Sequence, residues 1–123
     1  MPLTINPALD LKYIDRVYGD DANIISLIFN AFLSDCLPRW YILETLIDEQ
    51  NQKEAASLVH GLKPSFTMTG LGPIKKKIED LEQLILSNAD KGKQAALYSE
   101  INEQMTIMVP ILKQEAARLE SLV

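Results

Sequence analysis

The sequence predicts an all-α protein, an antiparallel four-helix bundle with an additional short N-terminal helix. Apolar residues recur at spacings of three and four along the chain, and the alternation of period two that marks strands is absent. Only 5 Gly and 6 Pro interrupt 123 residues, so the helices are joined by short connections. A hydrophobic fraction of 47% suffices for one core. We therefore expect residues 1–123 to form a single helical-bundle domain.

The first two helices follow from apolar stripes separated by a break at Gly19. The first covers residues 9–19, and its stripe consists of Leu11, Ile14, Val17 and Tyr18. Asp20 or Asp21 can cap the second helix. Its stripe runs through Ile24, Ile25, Ile28, Phe29, Phe32, Leu33, Cys36, Leu37, Tyr41, Leu43, Leu46 and Ile47. Pro38 interrupts this stripe but the periodicity resumes at once, which favours one long kinked helix over two separate ones.

Three further helices complete the predicted bundle. The polar residues 48–54 form a turn into a third helix at residues 53–69, and "GLGP" then breaks the chain before a fourth helix with Pro73 in its first turn. That helix carries Ile74, Ile78, Leu81, Leu84 and Ile85 and ends near residues 87–93. The fifth helix runs from about Gln94 to the end, is bent at Pro110, and carries Leu97, Ile101, Met105, Met108, Leu112 and Leu119.

Composition and charge exclude several classes of function. The 12 basic and 17 acidic residues give a net charge of −5, which argues against a nucleic-acid binder. We expect no membrane span because no run of about eighteen apolar residues exists. The N-terminus lacks the basic and apolar regions of a secretion signal. The one cysteine, Cys36, fits a small buried hydrophobe in a reducing compartment. The expected location is the cytoplasm.

The third predicted helix contains the one histidine of the chain. On a helical wheel its core-facing residues are Ala55, Leu58, Val59, Leu62, Phe66 and Thr69. His60 falls nearly opposite Leu62 and is expected to point into solvent. The residues that share its outward side are Ser57, Lys63, Pro64 and Thr67, with Gly61 on the flank.

The surroundings of His60 narrow its possible chemistry. A metal site needs further ligands, and no second His, Cys or suitably spaced carboxylate is near, so we expect no metal. A general base needs a nucleophile and usually an orienting acid, and neither lies within a turn. A nucleophilic His needs only exposure and a neutral ring, and Lys63 at i+3 supplies a cation for an arriving phosphoryl group. An exposed His near a Lys is also common on helix surfaces that have no function.

The segment "HGLKPSFTMTGL", residues 60–71, resembles the signature of histidine-containing phosphotransfer (HPt) domains of two-component phosphorelays. The matching residues are His60, Leu62, Lys63, Ser65 and Gly70. The similarity extends over nearly the whole chain. Residues 18–63 follow the order and spacing of the family's helix, kink, polar turn and histidine helix, and residues 74–85 look like the helix that comes next.

This resemblance implies a fold, a function and partners. The fold is a four-helix bundle with an extra short helix. His60 would accept a phosphoryl group from an aspartyl phosphate of a receiver domain and return it to another, while Lys63 steadies the phosphoryl oxygens. The partners would be receiver domains of response regulators and hybrid histidine kinases, docking over the flanking residues Ser57, Gly61, Pro64 and Thr67. The Mg²⁺ belongs to the receiver, so this chain has no cofactor of its own.

The chain carries no Gly-rich phosphate loop, which indicates a phosphocarrier and not an ATP-dependent kinase. One docking face and one His suffice for the chemistry, so a monomer is expected.

Lys75, Lys76 and Lys77 lie at the start of the fourth helix, where the helix dipole disfavours positive charge. A solvated face is the favoured interpretation of this triplet, and contact with acidic groups of a receiver is the alternative. Exposed apolar residues of the first two helices are the expected docking patch.

The sequence departs from the family pattern at Pro64, where Gly is usual, and at Phe66, where a small residue is common. Pro64 lies one turn after His60 and could crowd a docking receiver, yet its ring is compact. We expect a local bend and a competent site. Phe66 faces the core on the helical wheel. Two alternatives stay open: a helical adaptor that binds receivers without passing phosphate, with Pro64 as the disabling residue, and a structural bundle with a fortuitous motif.

Overall fold

Helices follow one another along the part of the chain that the computed structural model describes, residues 4–123, with no strand among them. Their bounds are α1 Leu11–Tyr18, α2 Ala22–Ala31, a π-helical segment Phe32–Cys36, α3 Leu37–Asp48, α4 Gln52–Met68, α5 Gly72–Leu86 and α6 Lys91–Glu120. Because α2, the π-helical segment and α3 are continuous, the fold consists of four long rods and the short α1. The all-α prediction is confirmed. Within residues 4–123, no helix is both long and apolar enough to cross a membrane.

The helix boundaries agree with the predicted breaks except at α6. Asp21 caps α2 by accepting a hydrogen bond from the Ile24 amide, and Pro73 lies in the first turn of α5. The last helix begins at Lys91, not at Gln94, because the Asp90 carboxylate accepts a hydrogen bond from the Gly92 amide. This N-terminal cap offsets the poor helix propensity of Gly92.

The interruption at Pro38 takes the form of a widened helical turn. The prediction of one long helix is confirmed, but the irregularity lies just before the proline, where the Leu37 amide donates to the Phe32 carbonyl. Proline has no N–H, and its ring crowds the carbonyl of Ser34 four residues earlier. A π turn relieves this crowding without ending the helix.

The four rods form a closed bundle around a single apolar cluster. α4 packs between α3 and α5, and α6 packs between α5 and the rod formed by α2 and α3. At the centre, Trp40 stacks on Tyr98 with 4.4 Å between ring centroids, and Phe66 meets Trp40 edge-on at 6.1 Å. The indole N–H donates to Asn102, and the Tyr98 hydroxyl donates to the Trp40 carbonyl. The core position predicted for Phe66 is confirmed.

Some apolar residues predicted to be buried are exposed. Tyr41 is 51% exposed and Ile24 is 43% exposed, although both lie on the predicted stripe of the second helix. In α1 only Ile14 is fully buried, while Leu11 and Val17 reach solvent. These stripes are wider than the arc of a helix that one packing partner covers. Their edges are left at the surface.

The short helix α1 braces the loop between α4 and α5. The Asp10 amide donates to the Gly70 carbonyl at 2.8 Å, and the Tyr18 hydroxyl donates to the Met68 carbonyl at 2.7 Å. Gly70 has a φ of +76°, which favours glycine, and a Cβ there would lie 2.8 Å from Cδ1 of Ile14. The loop that ends α4 therefore has its shape fixed by α1.

We predict that Gly70→Ala lowers the free energy of unfolding by about 2–4 kcal/mol, the sum of a left-handed backbone penalty and a clash with Ile14. Gly61→Ala is the matched control in α4. Its Cβ would meet Nη2 of Arg39 at an ordinary 3.5 Å, so it should raise the free energy of unfolding by up to ~1 kcal/mol. Urea unfolding followed by circular dichroism measures both. Surface substitutions with no special role change the free energy of unfolding by up to about 0.5 kcal/mol. A change no larger than this in Gly70→Ala would contradict this account.

Candidate functional site

His60 projects from the outer face of α4. Its side chain is 75% exposed, whereas Val59 and Leu62 on the opposite face are each 1% exposed. The predicted outward orientation of His60 is confirmed. Because the core-facing residues of α4 hold the helix against the bundle, the histidine is presented on a fixed backbone.

A buried carboxylate of α5 connects His60 and Lys63 of α4. His60 Nδ1 lies 3.0 Å from Oε2 of Glu82, and Lys63 Nζ donates to Oε1 of the same side chain at 2.7 Å. The Glu82 side chain is only 7% exposed. The three-residue spacing of His60 and Lys63 thus places both beside one carboxylate.

The protonation of this group determines which imidazole nitrogen is free. Burial raises the pKa of Glu82, but hydrogen bonds from Lys63 and His60 outweigh it, so the pKa lies below its ordinary value of 4.5. Glu82 is therefore ionised near neutral pH and can only accept hydrogen bonds. His60 must donate through Nδ1–H, which leaves the lone pair of the neutral ring on Nε2. That nitrogen has the electronic form of a nucleophile.

The residues predicted around His60 divide into two groups. A shallow cleft of about 270 Å³ is lined by His60, Lys63, Pro64, Thr67, Lys75 and Glu79. Ser57 is exposed but does not line this cleft. Gly61 lies on the other flank, where it faces Arg39 of α3. α4 is helical through Pro64 without interruption.

Sequence reasoning missed the α5 side of the site. No orienting acid lies within one turn of His60 on α4, and Glu82 is instead brought there by the packing of α5 on α4. A signal was present: Glu82 lies four residues after Ile78 and three before Ile85, on the apolar stripe of its helix. A charged residue on a buried stripe needs a partner, which marks it as a structural or functional site.

A second surface depression, lined by both apolar and polar residues, lies between α4 and α2. A groove of about 290 Å³ separates α4 from α2 and the π-helical segment, and Ile28, Arg39 and Met68 are among its lining residues. On α2, Ile24 is 43% and Leu27 59% exposed. Three further apolar residues of the first two helices, Ile14, Ile25 and Phe29, are all buried and cannot contribute to a docking patch.

Among residues 4–123, no group of three or more His, Cys, Asp or Glu side chains could hold a metal ion. The site consists of an exposed imidazole, a buried acid and a neighbouring cation.

We predict that Glu82 makes stability depend on pH. A carboxylate whose pKa is lowered by folding stabilises the protein above its unfolded pKa, and this stabilisation is lost as pH falls through the folded pKa. Glu82→Gln should therefore lower the free energy of unfolding by about 1–2 kcal/mol at pH 7, and the difference should shrink between pH 4.5 and more acidic conditions.

Urea unfolding at several pH values measures this difference. The control is Glu79→Gln, which removes a half-exposed carboxylate 4.0 Å from Lys75 and should change stability by less than about 0.5 kcal/mol throughout. If the loss of free energy of unfolding in Glu82→Gln stayed constant down to acidic pH, the contacts with His60 and Lys63 would not be what lowers the pKa of Glu82.

Comparisons with known proteins agree with this geometry. A family model described as Hpt domain matches residues 28–122, most of the chain, and the match includes His60, Lys63 and Glu82. Searches of curated proteins and of solved structures gave no match. Hpt domains are phosphocarriers of two-component phosphorelays that interact with receiver domains. The extent of the match and the exposed histidine on a helical bundle lead to one conclusion: this chain belongs to the Hpt domain family.

Proposed function

We propose that the chain accepts a phosphoryl group on Nε2 of His60 from the aspartyl phosphate of a receiver domain and passes it to the aspartate of another. The observation that carries this proposal is that His60 is exposed while its Nδ1 is hydrogen-bonded to the buried Glu82. This arrangement provides a nucleophile that is accessible and held in one tautomer.

The transfer step follows from this protonation state. Nε2 attacks the phosphorus, the Nε2–P bond forms, and the P–O bond to the receiver's aspartate breaks as its carboxylate leaves. The Nδ1 proton stays on the ring, which becomes cationic, and Glu82 balances that charge. Transfer to the next receiver reverses the step. The receiver supplies the Mg²⁺ that neutralises the phosphoryl oxygens.

Lys63 is proposed to stabilise the phosphoryl group. Lys63 lies one turn from His60, its side chain is 25% exposed, and its ammonium contacts one carboxylate oxygen of Glu82. An ammonium has three N–H donors, so Lys63 can keep this contact and direct another hydrogen bond toward the phosphoryl group. Glu82 is in this account a positioning residue for both groups.

The partners are proposed to be receiver domains of response regulators and hybrid histidine kinases. The exposed Ile24 and Leu27 of α2 and Met68 at the end of α4 support an apolar docking surface. The flanking residues Ser57, Gly61, Pro64 and Thr67 would lie beneath the docked receiver. The absence of a Gly-rich phosphate loop from the sequence supports a carrier without autokinase activity.

We further propose that the chain acts as a monomer in the cytoplasm. One histidine and one adjoining surface are enough for the transfer. A reducing compartment suits Cys36, which is buried and unpaired. Burial raises the pKa of its thiol to about 11, so the thiol stays protonated and unreactive.

The proposal predicts that wild type takes label from a phosphorylated receiver domain and that His60→Gln does not. The label should be labile in acid and stable in alkali, as expected of a phosphoramidate bond. His60 is exposed and outside the core, so the variant should still fold even though it alters the hydrogen bond to Glu82, and circular dichroism checks this. The measurement is transfer of radiolabelled phosphate from a panel of phosphorylated receivers.

Two other outcomes would contradict the proposal. If the protein bound receivers but took no label, the adaptor function would be favoured, with Pro64 as the residue that disables transfer. Label that persists in His60→Gln would show that another residue is the acceptor.

The effect of Pro64 can be measured separately. We predict that Pro64→Gly changes the rate of phosphoryl transfer by less than about threefold, roughly the effect of 0.7 kcal/mol on a barrier. Pro64 is exposed at the cleft, and α4 remains helical through it, so its compact ring leaves room for the receiver. Pro110→Gly in α6, outside the cleft, controls for general effects of removing a helical proline. If Pro64→Gly but not Pro110→Gly transferred phosphate many-fold faster, Pro64 would be shown to slow phosphoryl transfer.

A further inference from the structure

The basic triplet at the start of α5 has three different environments. Lys76 is 76% exposed and lies 2.6 Å from Asp80, and Lys77 lies 2.8 Å from Glu100 of α6. Lys75 instead lines the cleft that contains His60 and Lys63. The triplet is thus not uniformly a solvated face, because one of its members faces the phosphoacceptor site.

Lys75 forms only a weak ion pair with Glu79. Its ammonium lies 4.0 Å from the Glu79 carboxylate, at the outer limit of an ion pair, and both side chains are 43% exposed. Such a pair contributes little to stability and exchanges readily with other partners. By comparison, Lys63 makes a short contact of 2.7 Å with a carboxylate that is largely buried.

Charge balance in the cleft gives Lys75 a role. Before phosphorylation, the charge of Lys63 is offset by Glu82. A phosphoryl group brings nearly two negative charges near neutral pH. Because Lys63 is already shared with Glu82, these charges need another cation, and Lys75 lines the same cleft with its charge only loosely paired.

We propose that Lys75 is a second phosphoryl-binding cation of the His60 site, and that Glu79 competes with the phosphoryl group for it. This inference rests on the proposed phosphoacceptor role of His60. On phosphorylation, the Lys75 ammonium leaves Glu79 for the phosphoryl oxygens. Lys63 and Lys75, from two different helices, then contact the group from two sides.

The test uses phosphoramidate as a small donor, so that no receiver is needed. Nε2 of His60 attacks the phosphorus, the Nε2–P bond forms, and the P–N bond of the reagent breaks. Its nitrogen, protonated near neutral pH, leaves as ammonia, and the Nδ1 proton stays on the ring beside Glu82. The labelling rate is measured by ³¹P NMR, with His60→Gln as the blank.

Lys75→Gln should lower the labelling rate by roughly three- to fivefold, the effect of one nearby charge in a solvated site. Glu79→Gln should raise the rate, because Lys75 is then released. Lys76→Gln is the matched control, since it removes the neighbouring positive charge outside the cleft, and it should leave the rate unchanged. The effect of Lys75→Gln should also diminish at high salt.

A direct readout separates contact from a general field effect. In protein with ¹⁵N-labelled lysine, phosphorylation should shift the Nζ resonance of Lys75 more than that of Lys76. Equal rates for Lys75→Gln and Lys76→Gln, or equal shifts for the two ammonium groups, would overturn the assignment of Lys75.

The outcomes distinguish this inference from the function on which it rests. If receivers label the wild type but Lys75→Gln equals Lys76→Gln with phosphoramidate, the phosphocarrier function stands and Lys75 has no role. If phosphoramidate labelling depends on Lys75 while no receiver transfers phosphate, the cation site stands and the relay function is wrong. A wild type that is labelled neither by phosphoramidate nor by any receiver would overturn both.

Discussion

The contact of the Glu82 carboxylate with His60 and Lys63 is the interaction on which the site depends. A buried carboxylate is costly unless charged or hydrogen-bonding partners surround it. Here both partners come from α4, so the register between α4 and α5 is tied to the ionisation of one side chain. The same contact fixes the imidazole tautomer and positions the ammonium. Stability and the proposed reactivity of His60 therefore rely on a single group.

The rest of the fold serves to hold α4 in place beneath that contact. Leu62 and Phe66 bury the inner face of the helix, and the aromatic cluster around Trp40 joins it to α3 and α6. At its C-terminal end, α1 fixes the following loop through Gly70. A helix held along its core face and at its end can expose a histidine without becoming mobile, which an acceptor of phosphoryl groups requires.

Sequence periodicity was sufficient to predict the helices and the outward orientation of His60, because both depend on the spacing of residues along one helix. It was insufficient where spacing does not distinguish alternatives. Tyr41 and Ile24 are apolar positions at the edges of wide stripes, and only the placement of neighbouring helices shows that they remain exposed. The π turn before Pro38 likewise depends on how the chain relieves a clash, which sequence indicates only as an interruption.

By itself, the sequence determined an all-α bundle, an exposed histidine with a lysine one turn later, and a motif typical of Hpt domains. These features are local, since residues three or four apart share a helix face. Tertiary structure decided which acid orients the histidine and which second cation enters its cleft. Glu82 and Lys75 lie on another helix, and no spacing within α4 encodes them. Their positions follow from the packing of α5 on α4, a relation between distant segments that exists only in the folded protein.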